Sequence, residues 1–197
     1  MMKLPFIGLV DFKIIYPLAL VPLGVTVVAN AVNMLAGFNG LEVGMGLIAT
    51  ISLAIIAYTL GNMTALIILT AAIGAMLAAL IFNWYPARMF IGDVGTLSIG
   101  AVIAASVILG NFETAGVIII VPYFIDFVMK ALHRFPSKGW WGEYNNGKLY
   151  CSESGPVSLC QMIMKLTGGI SERNLVLVLM GLEAVFGLIA VLMFVKF

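Results

Sequence analysis

Long apolar runs alternate with short polar interruptions along the chain. Six runs stand out, at about residues 14–35, 42–60, 63–82, 94–110, 114–132 and 174–196. Each is close to the roughly 20 residues that a helix needs to cross the hydrocarbon core of a bilayer. The pattern predicts an all-α fold, a polytopic bundle of about six transmembrane helices forming one membrane domain over 1–197. The second and third runs meet at Gly61-Asn62, and the fourth and fifth at Gly110-Asn111, which leaves room only for tight turns. FNWYPARMFIGD joins the third to the fourth, and residues 133–173 form the one long polar loop, between the last two runs. Pro5 and Gly8 break any helix ahead of the first run.

Composition agrees with this reading. Hydrophobic residues make up 62% of the chain and charged residues 10%, with a mean hydropathy of +1.14. A soluble domain carries roughly 25% charged residues. The net charge of +1 gives no reason to expect a nucleic-acid partner. Cys151 and Cys160, nine apart, fit neither a metal pair nor a disulfide framework. The first run ends in polar amides rather than a small-residue cleavage site, so no cleavable signal is expected.

An even number of spans puts both termini and the two tight turns on one side. The 36–41 loop, the 83–93 loop and the 133–173 segment lie on the other. That second side carries Arg88, Arg134, Lys138, Lys148, Lys165 and Arg173, with Lys130 at its edge; the first has Lys3, Lys13 and Lys196. The positive-inside rule makes the basic side cytoplasmic. The loops rich in Asn, Asp, His and Arg therefore converge on one membrane face, as an active site would require.

Three polar clusters carry candidate chemistry. The first is Asn30, Asn33 and Asn39, with Gly37 and Gly40 among them. Asn30, Asn33 and Gly37 fall at i, i+3 and i+7, on one helical face, and amides in lipid need hydrogen-bond partners. The second is Asn83–Asp93. Asp93 opens a helix, where it reads either as an N-cap or, with an amide oxygen, as a ligand for a hard cation such as Mg²⁺. Phe90 and Trp84 could stack on a base or sit at the interface, and Arg88 could anchor there. The third is Asp126, Lys130, His133 and Arg134. Asp126 and Lys130 at i, i+4 read as an ion pair. His133-Arg134 reads as a polar helix end or as a phosphate contact. Asn146-Gly147 signals a hairpin turn, residues 156–169 an amphipathic interfacial helix, and Glu183 a contact with a partner helix. The Asn62-Met63-Thr64 sequon lies too close to the membrane to be a glycosylation site.

The strings NAVNMLAGFNGLEVG, FNWYPARMFIGDVGTLSIGA, HRFP, NGKL and ISERNL together resemble the polyprenyl-phosphate N-acetylhexosamine-1-phosphate transferase family, glycosyltransferase family 4. The single His133, where the peptidoglycan branch carries a histidine triplet, makes the chain more similar to the dolichyl-phosphate GlcNAc-1-phosphotransferase branch. The resemblance implies transfer of GlcNAc-1-phosphate from UDP-GlcNAc to a polyprenyl (dolichyl) phosphate at the cytoplasmic face of the plasma membrane. It implies that Asn33 and Asp93 hold Mg²⁺ or Mn²⁺ and are the catalytic pair. It places Asn30, Gly37, Asn39, Phe90, His133 and Arg134 at the substrate, with Gly37, Asn39 and Phe90 near the uracil. Family members have about ten spans and an Asp-Asp motif in an earlier loop. The six runs here match the last six, Asp11 falls on the wrong side to replace that motif, and Leu132 stands where some members have a base. The resemblance thus leaves three expectations for the short chain: the product of a split gene, a misplaced start, or a half that works with a partner chain carrying the other helices. The surface those helices would cover predicts association, with such a partner or as a homodimer. The competing readings are a non-catalytic membrane subunit that keeps the nucleotide pocket and a small transporter. A transporter would place polar residues near mid-bilayer and often show a repeat.

Overall fold

In the computed structural model, residues 2–4, 8–10, 13–136 and 139–195 are described, the first two stretches as backbone only. Asp11, Lys138 and Lys196, and the side chain of Lys3, lie outside the described residues. Ahead of the first run, Met2–Leu4 (β1) pairs antiparallel with Gly8–Val10 (β2).

Among the described residues, five helices are long and apolar enough to cross a membrane. The first is α1, Val21–Met34, entered through a π-helical turn at Tyr16–Leu20. Then follow α2 (Leu41–Thr59), α3 (Met63–Asn83), α4 (Gly92–Gly110) and, last in the chain, α8 (Glu172–Phe194). The run expected as a straight fifth span is broken. It forms α5 (Glu113–Ile119) and α6 (Val121–Leu132), bent by 58°. Pro122, in the first turn of α6, is the cause. It has no N–H for the carbonyl of Ile118, and its ring crowds that carbonyl. Counting the bent pair once, the all-α bundle has six spans, and the chain is an integral membrane protein.

The centre of the bundle is α2, which is buried along most of its length and packs against α3 and α8, while α1 packs against α4. Small residues set these approaches. A Cβ on Gly44 would meet Met180 Sδ at 2.7 Å, and one on Gly46 would meet Ile99 Cγ2 at 2.6 Å. Between α1 and α4 the contact is backbone to backbone, because a Cβ on Gly100 would lie 2.5 Å from Ala29 Cα. Helices in lipid gain no hydrophobic drive from meeting each other, so close packing through small residues supplies much of the attraction.

The short connections are those expected. Asn62 caps α3, accepting from Ala65 N at 3.0 Å and donating to the Gly110 carbonyl at 3.4 Å, which joins the two tight turns. Glu143–Asn145 (β3) and Lys148–Tyr150 (β4) form the hairpin around Asn146-Gly147, both in the left-handed region that its turn requires. Within the stretch expected as an amphipathic helix lies α7, Leu159–Thr167, capped by Ser158, which accepts from Gln161 N at 3.2 Å. The expectation for Glu183 is only half met. It is buried among the helices, but neither carboxylate oxygen has a hydrogen-bond partner among the described residues.

Valine at Gly100 should prise α1 from α4 and cost about 1–3 kcal/mol. Alanine at Gly74, which has nothing within 4 Å of its would-be Cβ, should be neutral or stabilising by up to about 1 kcal/mol. Thermal unfolding of both variants in detergent checks the contrast.

Candidate active site

The site grows from the α1–α4 contact. The helices run antiparallel, so one turn above Ala29 and Gly100 the register brings Asn33 to Thr96, with Asp93 a further turn along. Asn33 Nδ2 donates to Thr96 Oγ1 at 2.7 Å and to Asp93 Oδ1 at 3.1 Å. Asp93 is not the N-cap. Helix α4 begins at Gly92 with Ile91 in the cap position, and Asp93 sits in the first turn with its carboxylate toward Asn33. The positive end of the helix favours a negative charge there.

Asn33, Gly37, Phe90, Asp93 and Thr96 line a cavity of about 390 Å³, which Glu42, Lys130, Phe135 and Trp140 complete. Among the described residues, two carboxylates and one ammonium thus face this space. Glu42 is buried, and Gly37 N reaches toward its carboxylate at 3.5 Å. Lys130 pairs with Asp126 at 2.8 Å, as the i, i+4 spacing predicts, and donates to the carbonyl of Met34, next to Asn33. Its ammonium lies 4.7 Å from the centre of the Trp140 ring. The edge of that ring fills the space a Cβ on Gly37 would need, 2.5 Å away.

Other candidates lie elsewhere. Asn30 does not share a face with Gly37, because α1 ends at Met34. Its amide turns back to the carbonyl of Thr26 at 2.7 Å, so its own helix satisfies it. Asn39 is a tie between loops: its backbone N and Nδ2 donate to Glu172 Oε1 at 2.8 and 2.7 Å, and its Oδ1 accepts from Ala87 N at 3.0 Å. His133 and Arg134 are exposed at the end of α6 and do not line the cavity. Nδ1 of His133 lies 2.8 Å from the Met129 carbonyl. Arg88 stacks over Phe82 at 5.2 Å, in keeping with an anchoring role.

A divalent cation fits the donor set. Among the described residues no three His, Cys, Asp or Glu side chains gather to enclose a metal. Asn33 and Asp93 are instead neighbours, joined here through the amide Nδ2 of Asn33; turned about its last torsion, that amide would set its oxygen beside the carboxylate as a second hard donor. Mg²⁺ commonly uses one or two such ligands and fills its shell with water and phosphate.

The sequence profile of glycosyl transferase family 4 matches residues 1–111. The chain belongs to glycosyl transferase family 4. Among its relatives is a Saccharolobus solfataricus protein bearing the provisional name UDP-N-acetylglucosamine–dolichyl-phosphate N-acetylglucosaminephosphotransferase. It is 41% identical over 193 residues, 97% of this chain and 59% of the relative. A Sulfolobus acidocaldarius protein of the same provisional name is 38% identical, over 96% of this chain and 58% of its own length. A phospho-N-acetylmuramoyl-pentapeptide-transferase of Clostridium perfringens is 35% identical over 63% of this chain and 39% of its own length. The chain therefore spans about three fifths of the first two relatives.

Within this family member, sequence reasoning missed Glu42, Thr96 and Trp140 as cavity residues, and read Lys130 only as half of an ion pair. The ion pair was the one available signal. A Lys–Asp pair within an apolar helix is costly enough in lipid to suggest a use.

Two outcomes follow from the ties around the site. Alanine at Glu172 should leave two donors of Asn39 without their acceptor and lower stability by about 1–2 kcal/mol, read from thermal unfolding. Burial, aided by the Asp126 carboxylate, raises the Cys160 thiol well above its ordinary range. Cys160 should therefore resist maleimide at pH 8 until the protein unfolds, while the partly exposed Cys151 reacts first.

Proposed function

We propose that this chain carries the nucleotide-sugar and metal site of a phospho-N-acetylhexosamine transferase. In this reading it transfers GlcNAc-1-phosphate from UDP-GlcNAc to a polyprenyl (dolichyl) phosphate, an opening step of lipid-linked glycan assembly. The observation that carries the reading is the Asn33–Asp93 contact at 3.1 Å on the wall of a cavity at the loop end of the bundle. The names of the archaeal relatives supply the substrates. The basic residues of the same loops support a cytoplasmic position for this end, in this reading at the plasma membrane.

The chemistry is a phosphoryl transfer. An oxygen of the acceptor phosphate bonds to the β-phosphorus of UDP-GlcNAc, the bridge between the two phosphorus atoms breaks, and UMP leaves with the bridging oxygen. Such a transfer calls for positioning and charge neutralisation more than for covalent help from the protein. Asn33 and Asp93 would hold Mg²⁺ or Mn²⁺, which when bound neutralises the diphosphate oxygens. Thr96 fixes the Asn33 amide at 2.7 Å, and Phe90, exposed at the cavity, offers a stacking face to uracil. Gly37 would border the nucleotide from the cavity wall, and His133 and Arg134 would reach the sugar and diphosphate from the end of α6. Asn30 and Asn39, held by Thr26 and by Glu172 and Ala87, would act on structure rather than on substrate.

A lipid acceptor suits the outer side of α6. Phe124, Phe127 and Phe135 form an aromatic ladder, with successive ring centres 6.2 and 5.7 Å apart. Phe135 also lines the cavity, so the ladder links it to lipid-exposed surface.

UMP release from UDP-GlcNAc and a polyprenyl phosphate tests the reading, using membranes that contain this chain alone. The expected result is turnover that requires Mg²⁺ or Mn²⁺ and falls about a hundredfold or more in both Asn33→Ala and Asp93→Asn. Full activity in either variant would remove the metal assignment. No turnover by the unaltered chain would favour a non-catalytic role, or a site completed by a partner chain or a second copy.

A further inference from the structure

Lys130 is the one cation among the described residues that line the cavity, and nothing in the proposed reaction has yet used it. Its side chain is nearly buried, 7% exposed. Behind it stands Asp126, fully buried and itself fixed, because Oδ1 accepts from Leu159 N at the start of α7 at 2.8 Å. Asp126 therefore anchors the ammonium from one side. The other partners of the ammonium are neutral: the Met34 carbonyl and the face of Trp140. A phosphate oxygen is a stronger acceptor for an ammonium than either.

The charges around the cavity point the same way. Asp93 and Glu42 are both carboxylates on its wall. A diphosphate entering beside them needs positive charge at more than one place. A cation at Asn33 and Asp93 would serve one part of it, and Lys130 is available to serve another.

We propose that Lys130 is a phosphate-binding residue of this cavity. It exchanges the Met34 carbonyl or the Trp140 ring for a phosphate oxygen of a nucleoside diphosphate, while Asp126 keeps the amine in place. The inference rests on the nucleotide-sugar reading above and adds a residue to it.

The test measures binding of UDP, uridine and inorganic pyrophosphate to the full purified chain by calorimetry, with Mn²⁺ present. Lys130→Gln alone leaves Asp126 buried without its partner, which can unfold a protein. The double variant Asp126→Asn/Lys130→Gln removes both charges together and keeps an acceptor for Leu159 N. In each folded variant UDP and pyrophosphate should bind about tenfold or more weakly, the scale of one lost charge-assisted hydrogen bond, with uridine unchanged. Lys130→Arg should recover part of the loss. Unchanged UDP affinity in the folded double variant would overturn the proposal. So would equal losses for UDP and uridine, since a merely structural lysine would affect both. Failure of the unaltered chain to bind either UDP or pyrophosphate would overturn the nucleotide-sugar reading, and the role of Lys130 with it.

Discussion

Gly100 lets two helix backbones touch, and the site depends on that contact. With no side chain at Gly100, α4 lies directly against α1 at Ala29. The antiparallel register then carries the contact upward, one turn to Asn33 and Thr96, and one more to Asp93. A wider helix spacing would leave the amide and the carboxylate too far apart to act on one ion. The same closeness is what lipid favours, since small residues bring more atoms of two helices into contact. Packing deep in the bundle and chemistry at its end share one cause.

A second device joins the loops around this pair. The Asp126–Lys130 ion pair reaches two helix ends at once. Its carboxylate meets the N-terminal N–H of α7, and its ammonium meets a carbonyl in the last turn of α1. Each charge faces the helix pole that suits it. From α7 the chain of contacts returns to the cavity: Ser158 Oγ donates to the Trp140 carbonyl at 3.0 Å, and the Trp140 ring rests against Lys130 and Gly37. Asn39 does similar work on another side, tying the loop after α1 to the loop after α3 and to the start of α8. Three segments distant in sequence thus form one wall.

Much of this was legible beforehand. Apolar runs of bilayer length gave the spans, because in lipid a segment must satisfy its own backbone. The pairing of Asn33 with Asp93 came from family resemblance; the residues alone favoured Asp93 as a helix cap, a position that Ile91 holds instead. What stayed hidden was tertiary. The bend at Pro122 needed a proline one residue past the start of a new helix rather than inside an old one. Asn30 looked like a partner of Asn33, but periodicity cannot reveal that a helix stops at Met34 or that an amide folds back on Thr26. Trp140 sits in a loop with no periodic signal, about a hundred residues from the Gly37 it touches.

The central claim is that the amide closing α1 and the carboxylate opening α4 share one divalent ion. Titration of the purified chain with Mn²⁺, followed by electron paramagnetic resonance, tests it most directly. The account predicts a single bound Mn²⁺ that vanishes on Asn33→Ala and on Asp93→Asn alike. Binding that survives in either folded variant, or its absence in the unaltered chain with UDP present, would contradict it.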